Sequence, residues 1–202
     1  KAFAEALMFG LEEERKRIAR DLHDGIGQSL LLMKKQLVSN HTVTLENQNL
    51  ITNTLDEVRS ISRDLHPFQL EKFGLTTTIN EAILKVENST EIFITKEIEN
   101  IDQLFSDKTE INIYRTIQEA FNNIVKHSEA TAAKISIQSM DNKVFIKIQD
   151  NGKGFDHELA IVTSKSLGLR TMFERISGIG GKMKIEKGDS KGTIIEIKIP
   201  KN

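Results

Sequence analysis

Residues 133–154 read AKISIQSMDNKVFIKIQDNGKG, and this stretch decides the fold of the C-terminal part of the chain. Apolar and polar side chains alternate at 133–139 and again at 144–149, which is typical of strands with one buried face. The second strand leads directly into a loop with two glycines, Gly152 and Gly154. The pattern predicts a sheet that ends in a loop whose backbone can approach a ligand closely.

Further helices and strands surround this pair in the sequence. The periodicity predicts helices at 75–88, 109–127 and 167–179, and strands at 91–98, 182–187 and 193–199. Strands joined by hairpins, with helices packed on one side, form a two-layer sandwich. We therefore predict that residues 75–202 form one α/β-sandwich domain.

The first third of the chain has a helical pattern instead. One apolar stripe, with spacings of three, four and seven, predicts a helix near residues 3–38, and its members are Leu11, Ile18, Leu22, Ile26, Leu30, Met33 and Leu37. A turn at 39–44 separates it from a second stripe, formed by Ile51, Leu55, Val58, Ile61 and Leu65. The sequence thus predicts a helical hairpin over residues 1–66.

The hairpin has a consequence for assembly. Pro67 ends the second helix, and residues 67–74 are predicted to be a linker. A hairpin with one apolar stripe per helix cannot cover its own core, whereas two hairpins make a four-helix bundle. The predicted fold class is α + α/β, with a homodimeric four-helix bundle followed by the sandwich.

Composition excludes several classes of function. The 202 residues carry 28 Lys and Arg against 29 Asp and Glu, a net charge of −1, so direct nucleic acid binding over a large surface is not expected. The absence of cysteine excludes disulfides, thiolate metal sites and cysteine nucleophiles. The five histidines lack metal-ligand spacing, which argues against a zinc enzyme.

The segment around His23 departs from an ordinary amphipathic helix. Residues 14–28 read ERKRIARDLHDGIGQ, and each of the two glycines costs about 1 kcal/mol relative to alanine inside a helix. Gly27 lies four residues after His23, where it would clear space beside the imidazole. Lys16 and Arg20, on the same side at α-helical spacing, could attract an anionic phosphate.

Asp24 and Gln28 extend this group. Asp24 could hold the Nδ1–H of His23 and leave Nε2 as the nucleophile, while Gln28 could position a water molecule. Taken alone, His23 would be interpreted as an exposed helix residue on a solvated face. The acid, the glycines and the motifs further along the chain favour a chemical role.

A second polar group lies on the predicted helix 109–127. Glu119, Asn123, Lys126 and His127 share one face at i, i+4, i+7 and i+8. A carboxylate, an amide and cations on one stripe suit a metal–triphosphate, because Mg²⁺ prefers oxygen ligands. The same pattern also fits the polar outer face of an amphipathic helix.

A third group is the glycine loop that begins at Asp150. An acid at a strand end can accept a hydrogen bond from an exocyclic amine, and Gly152 and Gly154 let the backbone approach a ligand. An Asn-Gly pair by itself is more often a turn. The sequence contains neither a P-loop nor a dinucleotide-binding glycine fingerprint.

Together, these segments resemble the motifs of the sensor histidine kinases, in order and in spacing. Residues 14–28 resemble the H-box of the subfamily with a His-Asp-x-x-x-Gln signature, and 65–75 resemble the junction between the family's two domains. Residues 119–127 and 150–154 resemble the N-box and the G1 box of the gyrase, Hsp90, histidine kinase and MutL ATPases. Residues 166–175 resemble the G2 box, with Ser166 in place of its first glycine.

The resemblance implies roles for individual residues. His23 would accept the γ-phosphoryl group of ATP, Asp24 would act as general base, and Gln28 would support dephosphorylation of the partner. Glu119 would belong to the catalytic group, and Asn123 would bind Mg²⁺. The implied ATP-binding residues are Asn123, Lys126, His127, Asp150, Gly152, Gly154, Gly168, Leu169 and Thr193.

The resemblance also implies the chain's partners and setting. We expect a kinase core that autophosphorylates, passes the phosphoryl group to an aspartate of a response regulator, and also dephosphorylates that partner. The subfamily's response regulators carry helix-turn-helix output domains. Because the chain begins at Lys1 rather than at methionine, we expect a cytoplasmic fragment of a sensor with an upstream domain or membrane anchor.

Two other functions fit parts of the pattern. One is an ATPase or serine kinase built on the same nucleotide-binding fold, against which the H-box argues. The other is a non-catalytic dimeric scaffold that binds a nucleotide or a partner, which Ser166 in the G2 box keeps open.

Overall fold

A computed structural model describes residues 2–39, 45–154, 167–188 and 191–201 of the chain. The chain divides into two compact units, Lys1–Phe68 and Gln69–Asn202. The helical N-terminal part and the mixed α/β C-terminal part agree with the predicted fold class. The predicted turn at 39–44 lies almost wholly outside the described residues.

The N-terminal unit is a helical hairpin. Its first arm consists of three consecutive helical segments, α1 (Ala2–Asp21), the π-helical segment π1 (Leu22–Gly27) and α2 (Gln28–Ser39). The two residues that flank π1 have α-helical dihedral angles, so the arm continues through it. Helix α3 (Leu45–Leu65) is the second arm. The predicted helices are confirmed, and π1 is a feature that the periodicity did not indicate.

Two polar contacts show that the arms are antiparallel. Near the end of α3, the Ser62 hydroxyl donates to the carbonyl oxygen of Ala19 in α1 at 2.9 Å. Near its start, Lys34 Nζ in α2 donates to Thr52 Oγ1 at 3.0 Å. Leu55, a member of the second predicted stripe, lies between Thr52 and Ser62 on α3 and is buried.

The predicted linker is largely helical. Helix α4 (Phe68–Phe73) occupies most of residues 67–74. Pro67 prevents α3 from continuing, because proline has no amide N–H to donate. A new helix can still begin directly after it, because the first amides of a helix have no acceptor within the helix. Leu70 is buried in the core of the C-terminal unit, which gives α4 a packing partner.

The C-terminal unit is a two-layer sandwich with a five-stranded sheet. The strands are β1 (Phe93–Ile98), β2 (Ala132–Met140), β3 (Lys143–Asp150), β4 (Lys182–Lys187) and β5 (Thr193–Pro200). Their order in the sheet is β1-β2-β3-β5-β4, with β1 parallel to β2 and the other pairs antiparallel. The helical elements are α5 (Leu75–Ser89), α6 (Asp107–Asn123), the π-helical segment π2 (Ile124–Ser128) and α7 (Leu167–Gly178).

The alternation in β2 and β3 produces the core as predicted. Ile135 pairs with Ile148 and Ile137 with Ile146, all essentially inaccessible to solvent. On the other side of β3, Ile195 and Ile197 continue the same rows. Burying one such side chain contributes about 1.5–3 kcal/mol, so this face supplies much of the unit's stability. Helices α5, α6 and α7 cover it with Ile79, Ile83, Ile113, Ile117 and Ile176.

In the part of the chain that the structure describes, none of the helices has the length and hydropathy needed to cross a lipid bilayer.

Candidate active site

His23 lies on π1 in a hydrogen-bonded pair with its neighbour. Its Nδ1 is 2.8 Å from Asp24 Oδ1, and the two side chains are 60% and 55% exposed. Because a carboxylate accepts hydrogen bonds and does not donate them, Nδ1 carries the proton in this pair. In the neutral ring the lone pair then lies on Nε2, and the ring is open to solvent. This is the arrangement that the sequence predicted for His23 and Asp24.

The π-helical turn changes the predicted surroundings of His23. In a π-helix the backbone pairs residues five apart instead of four, so α-helical spacing no longer decides which side chains share a face. A Cβ added at Gly27 would meet only the Leu22 carbonyl oxygen, at 3.5 Å, and one at Gly25 would meet nothing within 4 Å. A Cβ at Gly27 would therefore not contact the imidazole within one chain. Such turns are rare in proteins overall, but many of those that occur lie at functional sites.

The charges before His23 form a network on α1. Arg17 donates to Glu14 at 2.5 and 2.9 Å and to Asp21 at 3.1 Å. The hydrogen bond from Arg17 lowers the pKa of Glu14, and the same bond raises the pKa of Arg17. Arg20, which the sequence proposed as a phosphate-attracting cation, is exposed. The charge of Arg17 is thus engaged, whereas Arg20 extends into solvent three residues before His23.

Gln28 is the first residue of α2, directly after π1. Its side chain is exposed. The predicted spacing of four from Asp24 crosses the π-helical turn, so their common face does not follow from α-helical geometry. The structure places Gln28 on the same exposed segment as His23.

In the C-terminal unit, Asp150 is the last residue of β3 and is only 5% exposed. Its Oδ1 accepts a hydrogen bond from the Gly152 amide at 2.8 Å. A Cβ at Gly152 would overlap the Ser128 carbonyl group, and one at Gly192 would overlap the Asp150 carbonyl oxygen. Both positions require glycine because three stretches of backbone are in contact there.

The other predicted residues of this loop lie beside Asp150. Gly154 has a φ of +70°, and a Cβ there would stand 3.0 Å from the Gly192 carbonyl oxygen. Thr193 follows Gly192 as the first residue of β5, and the next pair along the ladder is Gln149 with Ile194. The structure therefore brings Asp150, Gly152, Gly154 and Thr193 together at one end of the β3–β5 pair.

Glu119 and Asn123 lie on the side of α6 that faces α7. A Cβ at Gly168 would overlap Glu119 Oε1, so the carboxylate packs directly against the first turn of α7. Asn123 Nδ2 donates to Met172 Sδ at 4.0 Å, which fixes the side chain on the face of α6 next to α7. These contacts place the predicted metal ligand and the predicted acid on one surface with Gly168.

Lys126 and His127 are arranged differently from the prediction. Both lie on π2 rather than on an α-helix, and both side chains are exposed, whereas Glu119 and Asn123 are half-buried. The prediction of one continuous face at i, i+4, i+7 and i+8 is wrong at its second half, because π2 interrupts the α-helical period.

The remaining residues of the predicted G2 box are described in part. Leu169 packs against the hydrophobic core and is half-buried, so its side chain is a core contact. Gly168 and Leu169 belong to the first turn of α7. Ser166 and the segment 155–165 lie outside the described residues.

The sequence patterns did not single out two side chains that connect this site. Asn151 Oδ1 accepts hydrogen bonds from the amides of Thr131 and Ala132, both at 3.0 Å. The Ser128 hydroxyl donates to the Ile124 carbonyl oxygen at 2.7 Å and accepts from the Ala130 amide at 3.0 Å. A signal was present for Asn151, because asparagine side chains bond nearby backbone in turns, but its partners here lie 20 and 19 residues away in sequence.

Comparisons with known proteins agree with these two regions. A family model described as "Histidine kinase" matches residues 14–70, and one described as "Histidine kinase-, DNA gyrase B-, and HSP90-like ATPase" matches residues 108–202. The chain is 31% identical to the signal transduction histidine-protein kinase/phosphatase DegS of Brevibacillus brevis, over 98% of this chain and 54% of that protein. It is 31% identical to the sensor histidine kinase LiaS of Bacillus subtilis, over 94% of this chain and 55% of that protein.

A solved structure shows the same fold. The histidine kinase domain from the Erythrobacter litoralis EL346 blue-light activated histidine kinase gives a TM-score of 0.59 at 16% identity, covering 86% of this chain and 94% of that one. The chain spans about half the length of the curated relatives named above. Because the histidine-bearing and ATPase regions are both present, and in this order, the chain belongs to the sensor histidine kinase family.

Proposed function

We propose that this chain is an ATP-dependent protein histidine kinase core that phosphorylates His23 and passes the phosphoryl group to an aspartate of a response regulator. The observation that carries this proposal is the His23–Asp24 pair, with Nδ1 held at 2.8 Å and the ring exposed. A carboxylate bound to one ring nitrogen orients the imidazole and sets which nitrogen can react. The ATPase-type region in the same chain would supply the nucleotide.

The pair defines how the protons and electrons move. The Nε2 lone pair of His23 forms the new bond to the γ-phosphorus, and the bond from that phosphorus to the bridging oxygen of ADP breaks. The ring gains positive character, and the Nδ1 proton passes to the Asp24 carboxylate, which already accepts it. Asp24 is thus the general base through the far side of the ring.

The C-terminal unit would hold the nucleotide. Buried Asp150, with one oxygen occupied by the Gly152 amide, can accept from the adenine amino group through the other. The close backbone contacts at Gly152 and Gly192, where a Cβ would overlap a carbonyl group, would hold the loop beside Asp150 in place. Thr193 lies next to Asp150 and would complete the adenine side of the site.

The donor set on α6 fits a magnesium ion. Asn123 Oδ1 and the Glu119 carboxylate are oxygen donors, which Mg²⁺ prefers. When bound, Mg²⁺ neutralises charge on the phosphate oxygens. The exposed side chains of Lys126 and His127, together with the start of α7 at Gly168, could bind the phosphates.

A second copy of the chain would cover the hairpin. Several large apolar side chains of the hairpin are exposed within one chain, and they include members of both predicted stripes, namely Leu11, Ile26, Met33 and Ile61. A hairpin exposing this much apolar surface is typical of half a four-helix bundle. We therefore propose a homodimer formed through this unit.

The finer roles follow from position. Gln28, exposed directly after π1, would orient the water that attacks a response regulator's phosphoaspartate. We assign the partner to the response regulators with helix-turn-helix output domains, on the basis of the His-Asp-x-x-x-Gln signature at residues 23–28. We place the reaction in the cytoplasm, since ATP is the phosphoryl donor.

Incubation of the purified chain with Mg²⁺ and γ-labelled ATP tests the proposal. We expect a protein-bound label that is stable to base, labile to acid and absent from His23→Gln. A matched control, His41→Gln, should label like the wild-type chain. A label that survives acid and persists in His23→Gln would indicate a serine kinase, and nucleotide binding without any label would indicate a scaffold.

A further inference from the structure

We propose that Asn151 is a positioning residue that sets the adenine-reading geometry of Asp150 by joining the glycine loop to the chain that leaves α6. This inference rests on the proposed ATP-binding function. The joint is called the Asn151 clasp, and it consists of Asn151, Ser128, Thr131, Ala132 and Lys153. Its members lie outside the residues that would touch the nucleotide phosphates.

The clasp is a dense set of hydrogen bonds across a sequence gap of about 20 residues. Asn151 Oδ1 accepts from the amides of Thr131 and Ala132 at 3.0 Å, and Asn151 Nδ2 donates to Thr131 Oγ1 at 2.9 Å. The Asn151 amide donates to the Ala132 carbonyl oxygen at 3.2 Å. One side chain thus satisfies three partners, although it is largely exposed to solvent.

A second group of contacts extends the clasp to the other side of the loop. The Lys153 amide donates to the Ser128 carbonyl oxygen at 2.8 Å, and Lys153 Nζ lies 2.7 Å from Glu129 Oε1. The hydrogen bond from the Lys153 side chain lowers the pKa of Glu129. Between Asn151 and Lys153, Gly152 packs so closely on Ser128 that a Cβ would overlap its carbonyl group. The loop is therefore fixed on both sides of Gly152.

Gly152 transmits this position to Asp150. Its amide donates to Asp150 Oδ1 at 2.8 Å, which orients the buried carboxylate. If the clasp opens, Gly152 moves away from Ser128 and that amide moves with it. The second carboxylate oxygen of Asp150 then loses the direction in which it would accept from adenine.

The other end of the clasp leads back to the metal-binding surface. Ser128 is the last residue of π2, which directly follows α6 with Glu119 and Asn123. The clasp thus connects the element that would hold Mg²⁺ with the loop that would read the base. It fixes the distance between the two ends of a bound nucleotide.

This role differs measurably from a merely structural one. Adenine presents an amino group that a carboxylate can accept from, whereas guanine presents a carbonyl oxygen at the same position. A correctly oriented Asp150 therefore favours ATP over GTP, because the wrong base leaves a buried polar group unpaired. If the clasp only stabilised the fold, its loss would weaken the binding of ATP and of GTP equally. The ratio of the two affinities would then stay unchanged.

The test uses the full 202-residue chain, with Mg²⁺ and with ATP or GTP as titrant in calorimetry. Asn151→Ala removes all three side-chain bonds and should weaken ATP binding about tenfold, roughly the loss of one or two net hydrogen bonds. The preference for ATP over GTP should fall by about the same factor. Asn151→Asp keeps both backbone acceptor bonds and should stay within about threefold of the wild-type chain for both quantities.

Asn88→Ala, an exposed asparagine on α5, is the matched control and should change neither quantity. If Asn151→Ala does not fold, Asn151→Gln takes its place with the same expectation, because its carboxamide is displaced by one methylene. Amide exchange in the wild-type chain gives a further check, since the Thr131 and Ala132 amides should be protected.

Several outcomes overturn the clasp. They are an unchanged ATP-to-GTP ratio in Asn151→Ala, equal losses in Asn151→Asp and Asn151→Ala, or fast exchange of both amides. A wild-type chain that binds no ATP overturns the proposed function itself, whereas tight ATP binding with an inert clasp overturns only this inference.

Discussion

The helical hairpin and the α/β sandwich solve the problem of burying apolar surface in opposite ways. Among the described residues of the hairpin, Ala19 and Leu55 are the buried aliphatic side chains. The sandwich instead buries one continuous cluster that runs from Leu70 to Ile199. The difference teaches that the sandwich contains its own core, whereas the described part of the hairpin leaves much apolar surface exposed, which is why we propose that a second copy covers it.

The same contrast holds for the chemistry. The proposed phosphoryl acceptor, His23, is exposed on a turn with no buried residue. Asp150 is buried and fixed by backbone contacts that require glycine. An acceptor that meets two partners in succession must be accessible, whereas a site that selects one base must be rigid.

The largest effect is expected from a substitution that creates a cavity in the core of the sandwich. Ile146 is 1% exposed in the centre of β3. Ile146→Ala should lower the free energy of unfolding by about 2–5 kcal/mol, from lost burial and the remaining cavity. Chemical denaturation followed by circular dichroism measures it. Leu84→Ala, at an exposed position of α5, should change stability by less than about 0.5 kcal/mol, and a similar loss there would contradict the assignment of the core.

The second test concerns the uncovered face of the hairpin. Met33→Glu places a charge on this face and should weaken self-association about a hundredfold, because an unpaired charge is costly to bury. Sedimentation equilibrium over a concentration series measures the dissociation constant. Met140→Glu, equally exposed but on β2 of the sandwich, is the control. Equal dimerisation by all three chains would show that the hairpin does not mediate assembly.

A third test examines the rigidity of the nucleotide site. Gly168→Ala would force its Cβ onto Glu119 Oε1, the end of a flexible side chain that can turn away, and should cost at most about 1 kcal/mol of stability. In the Glu119→Ala background the cost should largely disappear, since contacting residues show coupling of about 0.5–3 kcal/mol. Gly178→Ala, at the other end of α7, meets open space and should be neutral or slightly stabilising. Additive effects of the Gly168 and Glu119 changes would mean that the two residues do not touch.

The smallest effect concerns Glu110 on α6. Burial, followed by the nearby charges of Asp102 and Asp107, raises the pKa of Glu110. A carboxyl with a raised pKa in the folded state favours folding when protonated, so its contribution to stability decreases as pH rises through that pKa. Glu110→Gln should therefore stabilise the sandwich at neutral pH by less than about 1 kcal/mol after solvent screening.

The pH dependence provides the check on Glu110. Thermal unfolding of both chains between pH 3.5 and 7 should show the difference vanishing in acid, where the wild-type carboxyl is protonated in both states. Asp141→Asn, on an exposed turn, is the control. A stabilisation that is constant across this range would exclude Glu110 as its source.

Regular periodicity made most of the fold predictable. The alternation of Ile135 and Ile137, and of Ile146 and Ile148, is enough to identify both the strands and their buried face. The interruptions could not be predicted, because a single π-helical turn within an α-helix is too short to show a period in the sequence. Helix α4 was not predicted because its stability depends on the packing of Leu70 in the core of the C-terminal unit, which local spacing does not indicate.

The candidate site divides in the same way. The end of β3 at Asp150 is followed directly by Gly152 and Gly154, so the proximity of these three residues could be predicted from the sequence. The α-helical spacing assumed for Lys126 and His127 was wrong because both residues lie on π2, which begins directly after Asn123. The contact of Gly168 with Glu119 and the reach of Asn151 to Thr131 are tertiary, and neither has a signal in local spacing.

The most direct measurement of the central claim is the position of the phosphoryl group on the imidazole of His23. The chain, labelled with ¹⁵N-histidine and incubated with Mg²⁺ and ATP, should show a phosphorus–nitrogen coupling to Nε2 of His23 in the NMR spectrum. This follows from the 2.8 Å contact that holds Nδ1 against Asp24. Coupling to Nδ1, or phosphate on any residue other than His23, would contradict the account.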